Sequence, residues 1–293
     1  MTVPSVAARA RTEQGPGAPE LRGAGLRLGD ISFLNCVPFR WGLAAGGAAA
    51  RFSTLSAPPE RLAEELLAGR LDVSPVSLAR YLRHTDELEL LPGVAIGSDG
   101  PVHSCHVVSH GPVELLDGRV VALSETSRTT TLLARMLLED AVGVRPVYRA
   151  ERQDVDAMLR TADAAVVIGD DALRLHAEAR PGLTITDAGA LWRDWTGLPM
   201  VFAVWAVRRD YAQAHPDRVR ELGEALTDAV GLARAHPAEV AAAAARESAQ
   251  GPGPAVEERV LRDYYRVLDY SLGDRQLTAV REFARRAAAR GEL

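Results

Sequence analysis

The amino-acid sequence predicts an α/β protein of two lobes with a ligand cleft between them. The chain has 293 residues, which is long for one compact core and suits two α/β lobes. Predicted strands alternate with predicted helices, a pattern that indicates parallel sheets. The alternation occurs twice, and its second series starts near Arg119. Two series predict two sheets, with the ends of their strands facing a cleft.

The first series contains the most clearly delimited helix, Ser56–Gly69. Ser56 is a suitable N-cap, Pro58 and Pro59 suit the first turn, and Gly69 suits the end. The other elements predicted here are the strands Leu26–Phe33, Leu71–Val73 and Val102–Ser109, a helix starting near Pro38, and a helix Leu78–His84 capped by Ser77.

The second series ends with the strand Met200–Val207, and after Asp210 the sequence predicts helices only. The elements predicted before that strand are the strands Arg119–Leu123, Val144–Arg149 and Ala164–Ile168 and the helices Thr129–Val142, Val155–Thr161 and Ala172–Ala177. The closing helices are expected to pack on the first lobe. The predicted division is therefore residues 26–112 plus 206–293 for the first lobe and 113–205 for the second.

Composition narrows the classes of function. Hydrophobic residues make up 47% of the chain and charged residues 25%, as in an ordinary globular protein. With 34 basic and 39 acidic residues the formal net charge is −5, which gives no general affinity for nucleic acid or for anionic membranes. A site for an anionic substrate must therefore obtain its positive potential from local groups.

The sequence predicts a cytoplasmic protein. Residues 1–25 are rich in Ala, Arg, Pro and Gly and lack the continuous apolar segment of an export signal, so we expect a disordered extension. No segment reaches the roughly 18 apolar residues that span a bilayer. Cys36 and Cys105 are too few for a disulfide framework and are expected to be buried thiols in a reducing compartment.

Polar residues at the ends of predicted strands are the candidates for chemistry. Asn35 follows the first strand, and its neutral amide can both donate and accept hydrogen bonds, although turn formation is the alternative role. Ser104 is predicted to lie on a strand, with His103 and Cys105 on the opposite face. Its flanking residues are not those of a nucleophile elbow.

A cluster of hydroxyl residues follows the strand that ends at Leu123. Ser127, Arg128, Thr129 and Thr130 lie where the next helix starts. The free N–H groups of a helix N-terminus favour an anion, and these side chains add donors and a charge. Simple capping of the helix is the alternative, but the cluster is larger than capping requires.

A third junction is Ile168–Asp171. Gly169 allows a close approach of the backbone, and one of the two aspartates, Asp170 or Asp171, is expected to cap the following helix. A catalytic carboxylate is the alternative role.

No metal site is predicted. His103 and His106 would face opposite sides of a strand and could not converge on one ion. Phosphate-binding and dinucleotide-binding glycine motifs are also missing.

Taken together and in this order, these segments resemble the chorismate dehydratase family of menaquinone biosynthesis, from about Leu26 to Phe283. The most specific segments are Ser32–Pro38, Thr126–Thr130, Ile168–Leu173 and Thr196–Trp205. Two departures from the family's pattern are Asp171, where a small residue is common, and Met200, where Phe is common.

The resemblance implies a type II periplasmic-binding-protein-like fold and the removal of water from chorismate, giving 3-[(1-carboxyvinyl)oxy]benzoate by the futalosine route. It implies no metal and no organic cofactor. Asn35 and Ser104 match the polar positions that face the substrate and are the predicted catalytic residues. The predicted substrate-binding residues are Ser77, Ser127, Arg128, Thr129, Thr130, Gly169 and Asp170, of which residues 127, 129 and 130 match the family's carboxylate site in the second lobe.

The implied chemistry fits the residues. The reaction removes a ring proton and the ring hydroxyl, and aromatisation drives it, so positioning and electrostatic support are the main demands on the protein. Asn35 and Ser104 are expected to orient the ring and its leaving hydroxyl. The motifs contain no His or Glu that is an obvious base, and the substrate's own side-chain carboxylate is the candidate.

Three alternatives compete with this interpretation. One is the sister enzyme that makes 1,4-dihydroxy-6-naphthoate, although the spacing of Asn35 and Pro38 favours the dehydratase. The others are a solute-binding protein of a transporter, disfavoured by the lack of an export signal, and the effector domain of a regulator, disfavoured by the lack of a preceding helix-turn-helix.

Overall fold

The computed structural model describes residues 25–125, 128–178 and 180–293, with Arg128 described by its backbone alone. Predictions made for residues 1–24, Thr126 and Ser127 lie outside the described residues. None of the helices in the described ranges is both long and apolar enough to cross a membrane.

The described chain alternates strands and helices. In chain order the strands are β1 (Leu26–Ile31), β2 (Phe52–Ala57), β3 (Val73–Ser77), β4 (Leu88–Ser98), β5 (Cys105–Ser109), β6 (Val120–Ser124), β7 (Val147–Glu151), β8 (Ala164–Ile168), β9 (Thr184–Asp187), β10 (Met200–Arg208) and β11 (Leu268–Leu272). The helices are α1 (Val37–Ala45), α2 (Pro59–Leu67), α3 (Leu78–Leu82), α4 (Arg128–Met136), α5 (Val155–Thr161), α6 (Gly169–Ala177), α7 (Ala188–Thr196), α8 (Arg209–Ala214), α9 (Pro216–Ala235), α10 (Pro237–Gln250), α11 (Glu258–Val267) and α12 (Asp274–Ala289).

These strands form two sheets, as the two predicted series indicated. The first has six strands in the order β11-β4-β10-β3-β1-β2, and the second has five in the order β7-β6-β8-β5-β9. Strand β1 pairs in parallel with β2 and β3, and β6 pairs in parallel with β7 and β8. The carboxyl ends of these parallel strands carry the loops that hold the candidate site.

The sheets divide the chain at points that differ from the predicted boundaries. β5, predicted in the first lobe, pairs antiparallel with β8 and β9 of the second sheet. β10, most of which was predicted in the second lobe, pairs antiparallel with β3 and β4 of the first. β5 follows β4 through a loop and β10 follows helix α7, and each pairs antiparallel in the sheet that it joins, so both sheets are mixed rather than purely parallel. The chain crosses between Ser98 and Cys105 and again between Thr196 and Met200.

Three local predictions are wrong. Ser56 lies in β2 rather than at a helix N-cap, because α2 begins later, at Pro59. Ser77 does precede α3, but its side chain makes no capping hydrogen bond. Strand β11 interrupts a region predicted as helices only. Its buried residues, Leu268, Tyr270 and Leu272, alternate with less buried ones, which is the period of a strand and not of a helix.

Helix α1 lies directly behind the candidate site and packs very closely on α9. A Cβ added to Gly42 would lie 2.1 Å from the carbonyl oxygen of Ala229, so only glycine permits this approach. Phe39 of the same helix packs edge-on against Trp205 and Tyr270, with ring centroids 5.2 and 5.1 Å apart. Through these contacts the first-lobe sheet and the closing helices share one core.

The close packing at Gly42 predicts how a substitution there changes the free energy of unfolding. Gly42→Ala should lower the free energy of unfolding by about 1–3 kcal/mol, because backbone atoms of α9 must move to admit the methyl group. Gly231→Ala is the matched control in α9: its Cβ would meet nothing within 4 Å. It should leave stability unchanged or raise it by up to about 1 kcal/mol. Urea denaturation of both variants tests this, and equal effects would contradict the close approach.

Candidate active site

A cleft of about 660 Å³, including its open mouth, lies between the loops at the strand ends of the two sheets. The predicted residues on its wall are Asn35, Ser77, Ser104, Thr130 and Gly169. Apolar groups, among them Phe33 and Phe202, form much of the remaining wall. The structure thus brings together residues that are up to 134 positions apart, from 35 to 169.

Asn35 lies in a single turn of 3-10 helix, Leu34–Cys36, that directly follows β1. The Leu34 carbonyl accepts a hydrogen bond from the phenol of Tyr265 at 2.9 Å, and the Asn35 carbonyl accepts one from Tyr270 at 2.7 Å. The side-chain Oδ1 of Asn35 is buried and has no hydrogen-bond partner among the described residues. The carbonyls of Leu34 and Asn35 are therefore satisfied, while the amide oxygen of the Asn35 side chain is left for a ligand.

Ser104 lies in the segment that crosses from the first sheet to the second. The prediction that it sits on a strand is wrong, since β5 begins one residue later and His103 has a left-handed φ of 61°. Its Oγ receives a hydrogen bond from the Tyr264 phenol at 2.9 Å, and its carbonyl accepts one from Gly169 N–H at 2.9 Å. Ser104 is thus held by both lobes.

Asp187 holds the crossing segment in this conformation. Its Oδ2 accepts hydrogen bonds from the N–H groups of Val102 and His103, at 3.0 and 2.8 Å. Its Oδ1 accepts from Gly189 N–H at 2.9 Å and so caps α7. One carboxylate therefore fixes the turn that precedes Ser104 and the start of the helix that leads back to the first lobe.

Gly169 and Asp170 bring the second lobe against the turn that contains Asn35. Gly169 has a φ of +68°, and a Cβ there would lie 3.2 Å from the Phe33 ring. The Asp170 Oδ1 accepts a hydrogen bond from Leu34 N–H at 2.9 Å. Neither aspartate, 170 nor 171, caps α6, so that prediction is wrong. Asp170 faces a neighbouring crevice instead of the cleft wall and serves as a contact between lobes.

The structure brings part of the predicted hydroxyl cluster to the cleft. Thr130 lies on the wall, and the Cys105 thiol donates a weak hydrogen bond to its Oγ1 at 3.8 Å. The Oγ1 of Thr129 instead accepts from Ala79 N–H of α3 at 2.8 Å, so this residue joins the lobes. Ser127 and the side chain of Arg128 lie outside the part of the chain that the structure describes.

The two cysteines are free and buried, as predicted. Burial raises the pKa of both the Cys36 and the Cys105 thiol far above its ordinary value. A thiol held in its neutral form is a poor nucleophile, so neither cysteine is suited to covalent catalysis.

Several residues at or behind the cleft were missed by the sequence analysis. Glu60 lies on the wall at the start of α2 and forms a further interaction within the protein. Tyr264, Tyr265 and Tyr270 approach from α11 and β11. The adjacent tyrosines and the strand-like alternation after Val267 were available signals, but neither indicates which loop the phenols contact.

Asp170 gives a prediction about pH. Burial raises the pKa of Asp170 from 3.8 to about 6, and this outweighs the lowering by Leu34 N–H and Arg174. The folded state then holds the proton more tightly than the unfolded state. The carboxyl therefore contributes stability that is present below about pH 4 and is lost as the pH rises through about 6.

Asp170→Asn keeps an acceptor for Leu34 N–H and cannot ionise. Relative to the wild-type protein, this variant should gain stability between about pH 4 and pH 7, as measured by thermal unfolding across that range. Asp171→Asn, which removes an exposed carboxylate from the same turn, controls for the loss of charge. Parallel pH profiles for wild type and Asp170→Asn would contradict the assignment.

Comparison of structures supports the predicted fold. The periplasmic aliphatic sulphonate binding protein SsuA from Escherichia coli superposes with a TM-score of 0.66 at 16% sequence identity, covering 92% of this chain and 94% of that one. At this identity the likeness concerns the fold alone. The chain has a periplasmic-binding-protein-like fold, as the resemblance implied.

Comparison of sequences extends the likeness to a family. A chorismate dehydratase of Thermus thermophilus is 33% identical over 233 residues, which cover 75% of this chain and 81% of the relative. A 1,4-dihydroxy-6-naphtoate synthase of the same organism is 29% identical over 235 residues, covering 79% and 82%. The family model described as menaquinone biosynthesis matches residues 26–289. The chain therefore belongs to the menaquinone biosynthesis family.

Proposed function

We propose that this protein is a carbon–oxygen lyase that removes water from chorismate and yields 3-[(1-carboxyvinyl)oxy]benzoate. The observation that carries the proposal is the amide of Asn35, whose buried Oδ1 has no partner among the described residues, in a cleft with apolar walls. The 33% identity to a chorismate dehydratase supports the choice of substrate.

Recognition of the substrate requires local donors, because chorismate carries two carboxylates and the protein has a net charge of −5. In the proposal, one carboxylate binds at the start of α4, where the helix dipole favours an anion. Thr130, on the cleft wall, adds a hydroxyl. Ser127, Arg128 and Thr129, the neighbours of Thr130 in the sequence, are proposed to bind the same carboxylate.

Asn35 and Ser104 are the proposed catalytic residues, and they orient the ring and its leaving hydroxyl. Ser77 and Gly169 line the wall, where glycine lets the backbone approach the ligand, and Asp170 contributes by holding the Asn35 turn. The ring C–H proton passes to the substrate's own side-chain carboxylate. The electron pair of that C–H bond forms the new ring double bond as the bond between the ring carbon and the hydroxyl breaks, and the hydroxyl takes the proton from the carboxylic acid and leaves as water. Aromatisation supplies the driving force, so pre-organised polar groups suffice.

The reaction itself is the most direct test of the proposed function. The purified protein, incubated with chorismate in the absence of added metal or cofactor, should form an aromatic enol-ether benzoate that has lost one water. Liquid chromatography with mass detection identifies it. Unchanged chorismate would contradict the proposal and favour the activity of the 29%-identical relative, the 1,4-dihydroxy-6-naphtoate synthase.

The proposed role of Asn35 in catalysis is tested by substitution. Asn35→Ala should lower kcat by about 100-fold or more, because an oriented polar group at the reacting centre is lost, while the affinity for chorismate changes far less. Ser32→Ala, an exposed hydroxyl in the same loop, is the control and should retain kcat. Steady-state kinetics and calorimetry separate the two effects. An unchanged kcat in Asn35→Ala would remove it from the mechanism.

Asn35 also offers a direct probe of binding. It is the single asparagine of the sequence, so protein labelled with [¹⁵N]asparagine shows one side-chain amide group in the NMR spectrum. That signal should shift when chorismate or its product is added. A signal that stays unchanged at saturating ligand would show that the amide does not face the ligand.

A further inference from the structure

We propose that Tyr264 is a positioning residue that orients the Ser104 hydroxyl as a hydrogen-bond donor into the cleft, toward the leaving oxygen of the substrate. The inference rests on the proposed function and deepens it, because it assigns a direction to one hydrogen bond of the reacting centre. Negative charge develops on the leaving oxygen as the carbon–oxygen bond breaks, and a donor oriented in advance stabilises that charge.

Tyr264 is a buried residue directly behind Ser104. It lies in α11 with 2% of its surface exposed, and its phenol oxygen is 2.9 Å from the Ser104 Oγ. It does not belong to the cleft wall, so any effect on a ligand passes through Ser104. Burial raises the pKa of the Tyr264 phenol far above its ordinary value, which keeps this group neutral and able to donate.

The direction of this hydrogen bond follows from where each hydrogen can go. If Ser104 donated to Tyr264, the buried phenol hydrogen would have no acceptor, since Ser104 Oγ is its hydrogen-bond partner in the described part of the chain. Leaving a buried donor unpaired is costly. If Tyr264 donates, the Ser104 hydrogen keeps only the Val102 carbonyl, 3.5 Å away and at the limit of hydrogen bonding. That hydrogen is then available to a better acceptor in the cleft.

The rest of the Ser104 environment supports the same arrangement. Its carbonyl accepts from Gly169 N–H, and Asp187 holds the two preceding residues, Val102 and His103, through their N–H groups. The backbone of Ser104 is therefore fixed, and rotation of its hydroxyl is the freedom that is left. Tyr264 restricts that rotation by occupying one lone pair of the oxygen.

The kinetic test uses Tyr264→Phe, which removes the hydroxyl and keeps the buried ring. With chorismate as substrate, kcat/KM should fall by about tenfold or more, because the Ser104 hydroxyl can then turn away from the leaving oxygen. In a Ser104→Ala background the same substitution should cause no further loss, since Tyr264 acts only through Ser104.

Tyr265→Phe is the matched control. It lies next in the same helix and also donates through its phenol, but to the Leu34 carbonyl of the Asn35 turn. Its effect on kcat/KM should therefore persist in the Ser104→Ala background. If the losses from Tyr264→Phe and Ser104→Ala multiply, or if Tyr264→Phe leaves kcat/KM unchanged, the proposal is overturned.

A second measurement needs neither a variant nor a substrate. Neutron diffraction from deuterated wild-type crystals shows where the two hydroxyl deuterons lie. A Tyr264 deuteron on the line to Ser104 Oγ supports the proposal, and a Ser104 deuteron on the line to Tyr264 overturns it. Because this result does not depend on turnover, failure of the proposed function with chorismate is distinguishable from failure of the inference about Tyr264.

Discussion

The site depends on one turn of backbone, Leu34–Cys36, being held from both lobes. The Asp170 carboxylate accepts its first N–H, and two phenols, of Tyr265 and Tyr270, donate to its carbonyls. Three bonds on so short a segment leave the backbone no freedom to satisfy the amide of Asn35. The unpaired amide oxygen in the cleft is thus a product of the fold. Tyr270, 235 positions along the chain from Asn35, therefore helps to hold the site in place.

The net charge of the protein is a second constraint on the site. The protein has a net charge of −5, and Glu60 is the one ionisable carboxylate on the described cleft wall, beside the neutral side chains of Asn35, Ser104 and Thr130. In the proposed function, Asn35, Ser104 and Thr130 act as neutral hydrogen-bonding groups toward the substrate. Neutral groups that are already fixed in place stabilise charge that develops during reaction without having to reorganise. Asp170, in contrast, is half-buried in the contact between lobes, and its partial desolvation is the reason that its ionisation opposes folding.

The sequence predicted the two sheets, the junctions after β1 and β8 and most of the polar residues on the cleft wall. Those predictions succeeded because local periodicity and turn chemistry mark strand ends. Contacts between residues that are far apart in the sequence leave no local pattern of this kind. Ser104 was expected on a strand, but a chain that crosses between sheets has to turn, and His103 takes the left-handed conformation there. The contact of Tyr264 with Ser104 spans 160 positions, and no local pattern encodes it.

The position of β10 at the centre of the first sheet has a consequence for how the polypeptide acquires its structure during synthesis. β10 lies between β3 and β4, yet it is made only after the whole of the second sheet. The second lobe is one continuous stretch and can fold as it leaves the ribosome. Until β10 is synthesised, the edges of β3 and β4 that it will pair with stay unpaired. Unpaired strand edges promote association with other chains. Slow translation through residues 110–200 would prolong that exposure, so we expect the first lobe to need chaperones more than the second.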